Sequence, residues 1–154
     1  GVVDELAPQR ERRQVDVVLD GAPCNVSGWR FGLSVLVRNL VANALEHAPA
    51  GTSVQLSWRV DAGVVELLVD DAGPGIAPED HVRVFQRFVR LERPDGSGDT
   101  SAIPGVGLGL AIVRAVADAH GARVELDRSP AGGLRVRVWL RAAPAPAGSP
   151  HLAP

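Results

Sequence analysis

Four short stretches stand in fixed order along the chain: Asn39-Leu-Val-Ala-Asn43, Asp71-Ala-Gly73-Pro-Gly75, Phe85-Gln-Arg-Phe88 and Gly105-Val-Gly107-Leu-Gly109-Leu110. Each alone recurs by chance. Four in order, spread over roughly seventy residues, confine the chain to folds in which an amide stripe, a carboxylate turn and a glycine-rich helix start can meet. The length of 154 residues suits one domain with a real core, and 45% apolar with 22% charged residues is the make-up of a globular protein. A net charge of -2, with Arg and acidic residues interspersed, argues against a nucleic-acid partner.

Hydrophobic rhythm supplies the elements. Residues 14–19 are rich in β-branched and apolar side chains and end at Asp20-Gly21, so a first strand is expected there. From Ser27 as N-cap, the apolar residues Leu33, Leu36, Val37, Leu40, Val41, Ala44 and Leu45 recur with helical spacing until Pro49 and Gly51. Strands at 53–60 and 64–70 flank Asp61-Ala-Gly63 as a hairpin, and the second runs straight into Asp71. A short helix is expected at 79–88, a polar loop at 92–104, and a helix over 108–120 closed by Gly121. Strands at 122–127 and 134–140 make a last hairpin around Pro130-Ala-Gly-Gly133. The expected fold is a two-layer α/β sandwich: a mixed sheet of about five strands with three main helices on one face.

The stretches then read as chemistry. Asn39, Asn43 and His47 are spaced by four, which lines them up as a polar stripe beside the apolar face of the first long helix. The Asn43 amide oxygen suits magnesium, which needs only one or two protein ligands when nucleotide phosphates supply others. Asp71, ending an apolar strand before Gly73 and Gly75, can accept from the exocyclic amine of adenine where guanine carries a carbonyl. Asp70, on the opposite face of that strand, is expected to face solvent. The glycine run opens a helix, so the backbone N–H groups of Gly105, Val106, Gly107, Leu108, Gly109 and Leu110 can cradle phosphates. Ile76 follows the carboxylate turn at the base. Phe85 and Phe88 are expected to pack the near end of the polar loop, with Arg87 and Arg90 in reach of phosphate. Cys24, the only cysteine, reads as a small, partly buried hydrophobe and favours a reducing compartment.

These stretches closely resemble the N, first glycine, F and second glycine boxes of the ATP-binding catalytic domain of bacterial sensor histidine kinases, over roughly residues 4–141. The resemblance implies a Bergerat-type fold and a protein histidine kinase activity, with ATP and Mg2+ as cofactors. It assigns Asn43 to the metal, Asp71 to adenine, His47 to the border of the adenine, Asn39 with Asn43 to the reacting end, and residues 89–104 to a lid over ATP. It further implies partners: a histidine-bearing dimerisation domain of the same protein and a response regulator. On this reading residues 1–13 end a linker from that domain, 14–141 form the catalytic domain, and 142–154 form a flexible Pro/Ala tail. The fragment is expected to be monomeric and cytoplasmic, from a homodimeric protein whose relatives are often inner-membrane receptors.

None of the histidines, His47, His81, His120 and His151, sits in the His-acid-Pro context of the family's acceptor helix, so the phosphoacceptor is expected elsewhere. Two residues depart from the family pattern: Glu46 stands where many relatives carry a basic residue, and Val106 where Ser is frequent. Related ATPases and serine kinases of this fold typically carry a Glu four residues before the magnesium Asn as a general base. Here that place is Asn39, which has no basic lone pair at neutral pH, so slow hydrolysis is expected. The alternatives are a degenerate or regulatory ATP-binding module, an ATPase or serine kinase of the same fold, and a purely structural interaction domain.

Overall fold

The computed structural model describes residues 1–87 and 108–144. In chain order it contains α1 (Val2–Glu5), α2 (Ala7–Arg13), β1 (Asp16–Asp20), α3 (Arg30–His47), β2 (Ser53–Asp61), β3 (Val64–Asp70), two 3-10 turns (Pro78–Asp80 and Arg83–Phe85), α4 (Gly109–Ala119), β4 (Arg123–Arg128) and β5 (Leu134–Arg141). The strands form one sheet in the order β1-β2-β3-β5-β4, with β1 parallel to β2 and the other neighbours antiparallel. This is the expected mixed five-stranded sandwich.

Alternation decides which face is covered. Val65, Leu67 and Val69 of β3 and Val136, Val138 and Leu140 of β5 are buried, and they belong to one core with Leu36, Leu40, Val41 and Leu45 of α3 and Val113 and Ala117 of α4. A single helical face supplies the α3 contribution, as its rhythm requires. The tight β2–β3 turn places both Ala62 (φ 47) and Gly63 (φ 77) in the left-handed region, the mark of a two-residue hairpin loop.

Two local expectations change, and the first residues take on helical structure. Where the expected helix at 79–88 is described, up to residue 87, it is a pair of 3-10 turns, since Pro78 opens the segment and among its described residues only Val84 is a buried apolar residue able to hold a longer helix. The helix expected to be capped by Ser27 begins at Arg30 with Trp29 as N-cap, and the Trp29 N–H is satisfied by His120 Nε2 at 3.0 Å rather than by a local side chain. Residues 1–13, read as the end of a linker, form α1 and α2 and pack on α3. Leu6 is buried, Gln9 Nε2 donates to Ala42 O, and Arg13 donates to Leu45 O and Glu46 O.

The uncovered face of the sheet carries a charge ladder, and here Asp70 is corrected: it is buried, not solvent-facing. Arg135, directly opposite on β5, closes over it with two hydrogen bonds of 2.7 Å. Bidentate pairing of this kind is geometrically demanding and stronger than a neutral hydrogen bond. Arg135→Ala is therefore expected to lower stability by about 1.5 to 3 kcal/mol, read as a shift of the urea midpoint with unchanged slope.

Candidate functional site

Asp71 sits where β3 ends, and its surroundings are built by the last hairpin. It is 3% exposed. Its backbone continues the β3–β5 ladder by donating from Asp71 N to Leu134 O at 3.0 Å. The carboxylate Oδ1 accepts from Gly73 N at 2.8 Å and from Leu134 N at 3.1 Å. Both donors found among the described residues thus converge on one oxygen, and Oδ2 accepts from none of them. Burial pushes the Asp71 carboxyl above its ordinary value, the N–H groups of Leu134 and Gly73 pull it back, and the neighbouring charge of Asp70 adds to the upward push.

The turn after Asp71 approaches α3 closely. A Cβ on Gly73 would lie 2.7 Å from the His47 carbonyl oxygen, so only glycine lets the chain pass there. Gly75 has φ +73, the left-handed region that glycine enters without strain. Ile76 is half-buried against the core, and its carbonyl oxygen lies 3.1 Å from His81 Nε2.

The other end of the site lies two turns back along α3. Asn39 Nδ2 donates to Val35 O at 2.8 Å, which fixes the amide and turns Oδ1 towards α4, where it lies 3.6 Å from the position a Cβ would take on Gly109. The start of α4 at Leu108, Gly109 and Leu110 therefore abuts the asparagine stripe. Among the described residues no side chain caps this helix end, and free N–H groups at a helix start suit an anion. Asn43 is half-buried between the two ends and His47 is exposed beside the carboxylate turn. Asn39 and His47 are eight residues apart, about 12 Å along the helix axis at ~1.5 Å per residue.

The structure thus brings together Asn39, Asn43, His47, Asp71, Gly73, Gly75, Ile76, Leu108, Gly109 and Leu110. Phe85 is half-buried, with the Arg114 guanidinium of α4 4.4 Å above its ring, and Arg87 is exposed at the edge of the described chain. Phe88, Arg90, Gly105, Val106, Gly107 and the expected lid at 89–104 lie outside the described residues. Sequence reasoning missed Ser129, Gly133 and Leu134. Ser129 is buried, its hydroxyl donating to Asp71 O at 2.6 Å and accepting from Gly133 N at 2.9 Å. A Cβ on Gly133 would lie 2.4 Å from both Asp71 O and Asp71 Oδ1. The signal was present in Gly132-Gly133: Gly132 (φ +90) already serves the turn, so the second glycine answers a different demand.

Comparison with known proteins agrees with this geometry. Residues 30–144 match the family described as "Histidine kinase-, DNA gyrase B-, and HSP90-like ATPase". The signal transduction histidine-protein kinase/phosphatase MprB of Mycolicibacterium vanbaalenii is 39% identical over 155 residues, covering 96% of this chain and 31% of that protein. The chain therefore spans about a third of that relative's length. Among solved structures, a mycobacterial sensor histidine kinase MprB superposes with a TM-score of 0.76 at 31% identity, covering 94% of this chain and 93% of the other. Full-length ShkA in complex with AMPPNP superposes with a TM-score of 0.76 at 26% identity, covering 95% of this chain and 29% of the other. An acceptor carboxylate and an open helix start at opposite ends of an asparagine-bearing helix, in a sheet of this order, agree with these matches, and the chain belongs to the histidine kinase-, DNA gyrase B- and HSP90-like ATPase family as an ATP-binding catalytic domain of the sensor histidine kinase type.

Proposed function

We propose that this chain holds ATP lengthwise along α3 and presents its γ-phosphate to a histidine on a separate helical domain of the same protein, for relay to an aspartate of a response regulator. The observation that carries the reading is the separation of two unlike ends on one helix. At one end Asp71 offers a buried oxygen that accepts only, and at the other α4 opens without a side-chain cap beside Asn39. An interval of about 12 Å lets one extended nucleotide reach both.

In this reading Asp71 Oδ2 accepts from the adenine amine, and Gly73 admits the flat base to the backbone. Asn39 has no basic lone pair, so it orients rather than activates, and the nucleophile is the imidazole of the partner domain. The family also implies magnesium. Among the described residues no three His, Cys, Asp or Glu side chains gather, and the donors at this place are amide oxygens, which fits a hard cation held by Asn43 and by the nucleotide phosphates. Such an ion would neutralise phosphate charge. Residues 1–13 would lead in from the histidine-bearing domain, 14–141 form the catalytic unit, and 142–154 trail from it. Among the described residues no helix is long and apolar enough to cross a membrane. We place this unit on the cytoplasmic side of a homodimeric protein.

Calorimetric titration with ATP, ADP and GTP, with and without magnesium, tests the reading. Adenine-selective, magnesium-dependent binding with little turnover is expected, and absence of nucleotide binding would leave an interaction module instead. In the same assay Asn43→Ala should erase most of the difference made by magnesium while retaining adenine selectivity. Persistence of the full magnesium effect would remove Asn43 as the ligand.

A further inference from the structure

Four polar or charged residues are buried among the described residues: Glu66, Asp70, Asp71 and Ser129. Glu66 and Asp70 answer to arginines on the open face of the sheet. Ser129 answers to Asp71, and closing its own turn does not require a hydroxyl. The backbone already closes residues 129–133 through Ser129 N to Gly133 O and Gly132 N to Ser129 O, both 2.9 Å. The Ser129 hydroxyl adds two bonds of another kind. It donates to the Asp71 carbonyl on β3 and accepts from Gly133 N, the residue immediately before the Leu134 N–H that meets Asp71 Oδ1.

We infer that Ser129 is a positioning residue that sets adenine-over-guanine selectivity, by clamping the β4–β5 turn onto the end of β3 so that Leu134 N occupies Oδ1 of Asp71 and leaves Oδ2 aimed at the base. The inference rests on Asp71 being the adenine acceptor. The chain of contacts is short and rigid. Ser129 Oγ holds Asp71 O on one side and Gly133 N on the other, and Gly133 lies so near Asp71 that no side chain fits between them. A carboxylate held by two donors on one oxygen cannot rotate without breaking both, so the free oxygen keeps one direction. Remove the hydroxyl and Gly133 N loses its partner in a buried place, Leu134 is left with its own bonds to Asp71 and without the clamp beside it, and the carboxylate gains rotational freedom.

The test titrates this chain, its Ser129→Ala and Ser129→Cys variants, and Asp71→Asn with ATP and with GTP, alongside thermal unfolding. Ser129→Ala should lose about tenfold in ATP affinity, the scale for leaving a buried donor unpaired, while GTP affinity falls less and the ATP:GTP ratio drops. Ser129→Cys keeps the shape with a weaker donor and acceptor, and should fall between. It reads the same ratio if the alanine variant does not fold. The pH below which ATP affinity declines should also move up in either variant, because the Leu134 N–H helps hold the Asp71 carboxyl down. A role confined to stability would shift only the melting temperature. An ATP:GTP ratio within about twofold of the parent in a folded Ser129 variant would overturn the inference, twofold being well under the tenfold step of 1.4 kcal/mol. If Asp71→Asn itself leaves ATP binding and the ratio untouched, the adenine-acceptor reading fails. If Asp71→Asn collapses the ratio and the Ser129 variants do not, only the positioning role fails.

Discussion

Asp71→Asn is expected to weaken ATP binding by about 2 to 5 kcal/mol, roughly thirtyfold or more, with the fold retained. The geometry also fixes how the new side chain would sit. Gly73 N and Leu134 N both donate to Oδ1, so the amide must turn its oxygen to them and its NH2 group to the ligand. An adenine amine would then meet a donor, while a guanine carbonyl would find one. The ratio of ATP to GTP affinity should therefore fall further than ATP affinity alone, and isothermal titration with both nucleotides reads it. Unchanged ATP affinity would remove Asp71 from the base site.

The same carboxyl predicts opposite pH trends for stability and binding. Its folded value lies above the ordinary 3.8 because burial penalises the charge. The folded state therefore holds the proton more tightly than the unfolded chain. This group's destabilising effect is complete above the folded value and disappears as pH falls through that value towards the ordinary one. A ligand that donates to Oδ2 favours the ionised form and must displace the proton. Affinity for adenosine, which carries no titrating phosphate, should rise with pH through that window and level off above it. In Asp71→Asn the contribution of this group to both slopes should vanish, as seen by comparing the variant with the parent in adenosine titrations and urea unfolding over the same pH range.

The second large effect is expected at Gly133→Ala. The new Cβ would stand 2.4 Å from Asp71 O and Oδ1 and 2.6 Å from Gly73 N, all atoms of the site or its backbone. Relief by rotating a flexible side chain is not available, because two of the three atoms are main-chain and the third is held by two hydrogen bonds. The cost should reach the upper end of overpacking, about 3 kcal/mol in unfolding free energy, and the displaced carboxylate should lose nucleotide as well. Gly132→Ala makes an informative comparison. Its strain comes from φ +90, and its Cβ would meet nothing nearer than Arg128 Nη2 at 3.9 Å, so stability should fall while ATP affinity stays close to the parent's. Nucleotide binding by Gly133→Ala at parental strength would show that the turn and Asp71 are not mechanically joined.

Much of this was legible in the sequence, because local rhythm and local chemistry coincide. The β2–β3 hairpin, the alternation on β3 and β5, and the buried stripe of α3 follow from periodicity alone, and the observed strands lie within a residue or two of the expected ones. What was not legible depends on partners distant in sequence. Asp70 is buried because Arg135 stands opposite it across the ladder, and nothing within β3 announces that pairing. The start of α3 shifts from Ser27 to Trp29, whose own N–H is held by His120 at the far end of α4, a partner that nothing near Ser27 announces. Ser129 and Gly133 look like ordinary turn residues until β5 folds beside β3.

The Leu134 N–H that seats the Asp71 carboxylate comes from 63 residues further along the chain, and the Ser129 hydroxyl from 58. Contacts of such separation form late, after the entropy of closing a long loop has been overcome. The Asp71 end of the proposed site accordingly comes into being only when the final hairpin has joined the sheet. A nascent or truncated chain ending before β5 would lack the strand that joins β3 to β4 and, with it, the Leu134 N–H that seats the carboxylate. Nucleotide would then stabilise only the completed domain, so during synthesis ATP would act as a ligand that distinguishes finished molecules from unfinished ones.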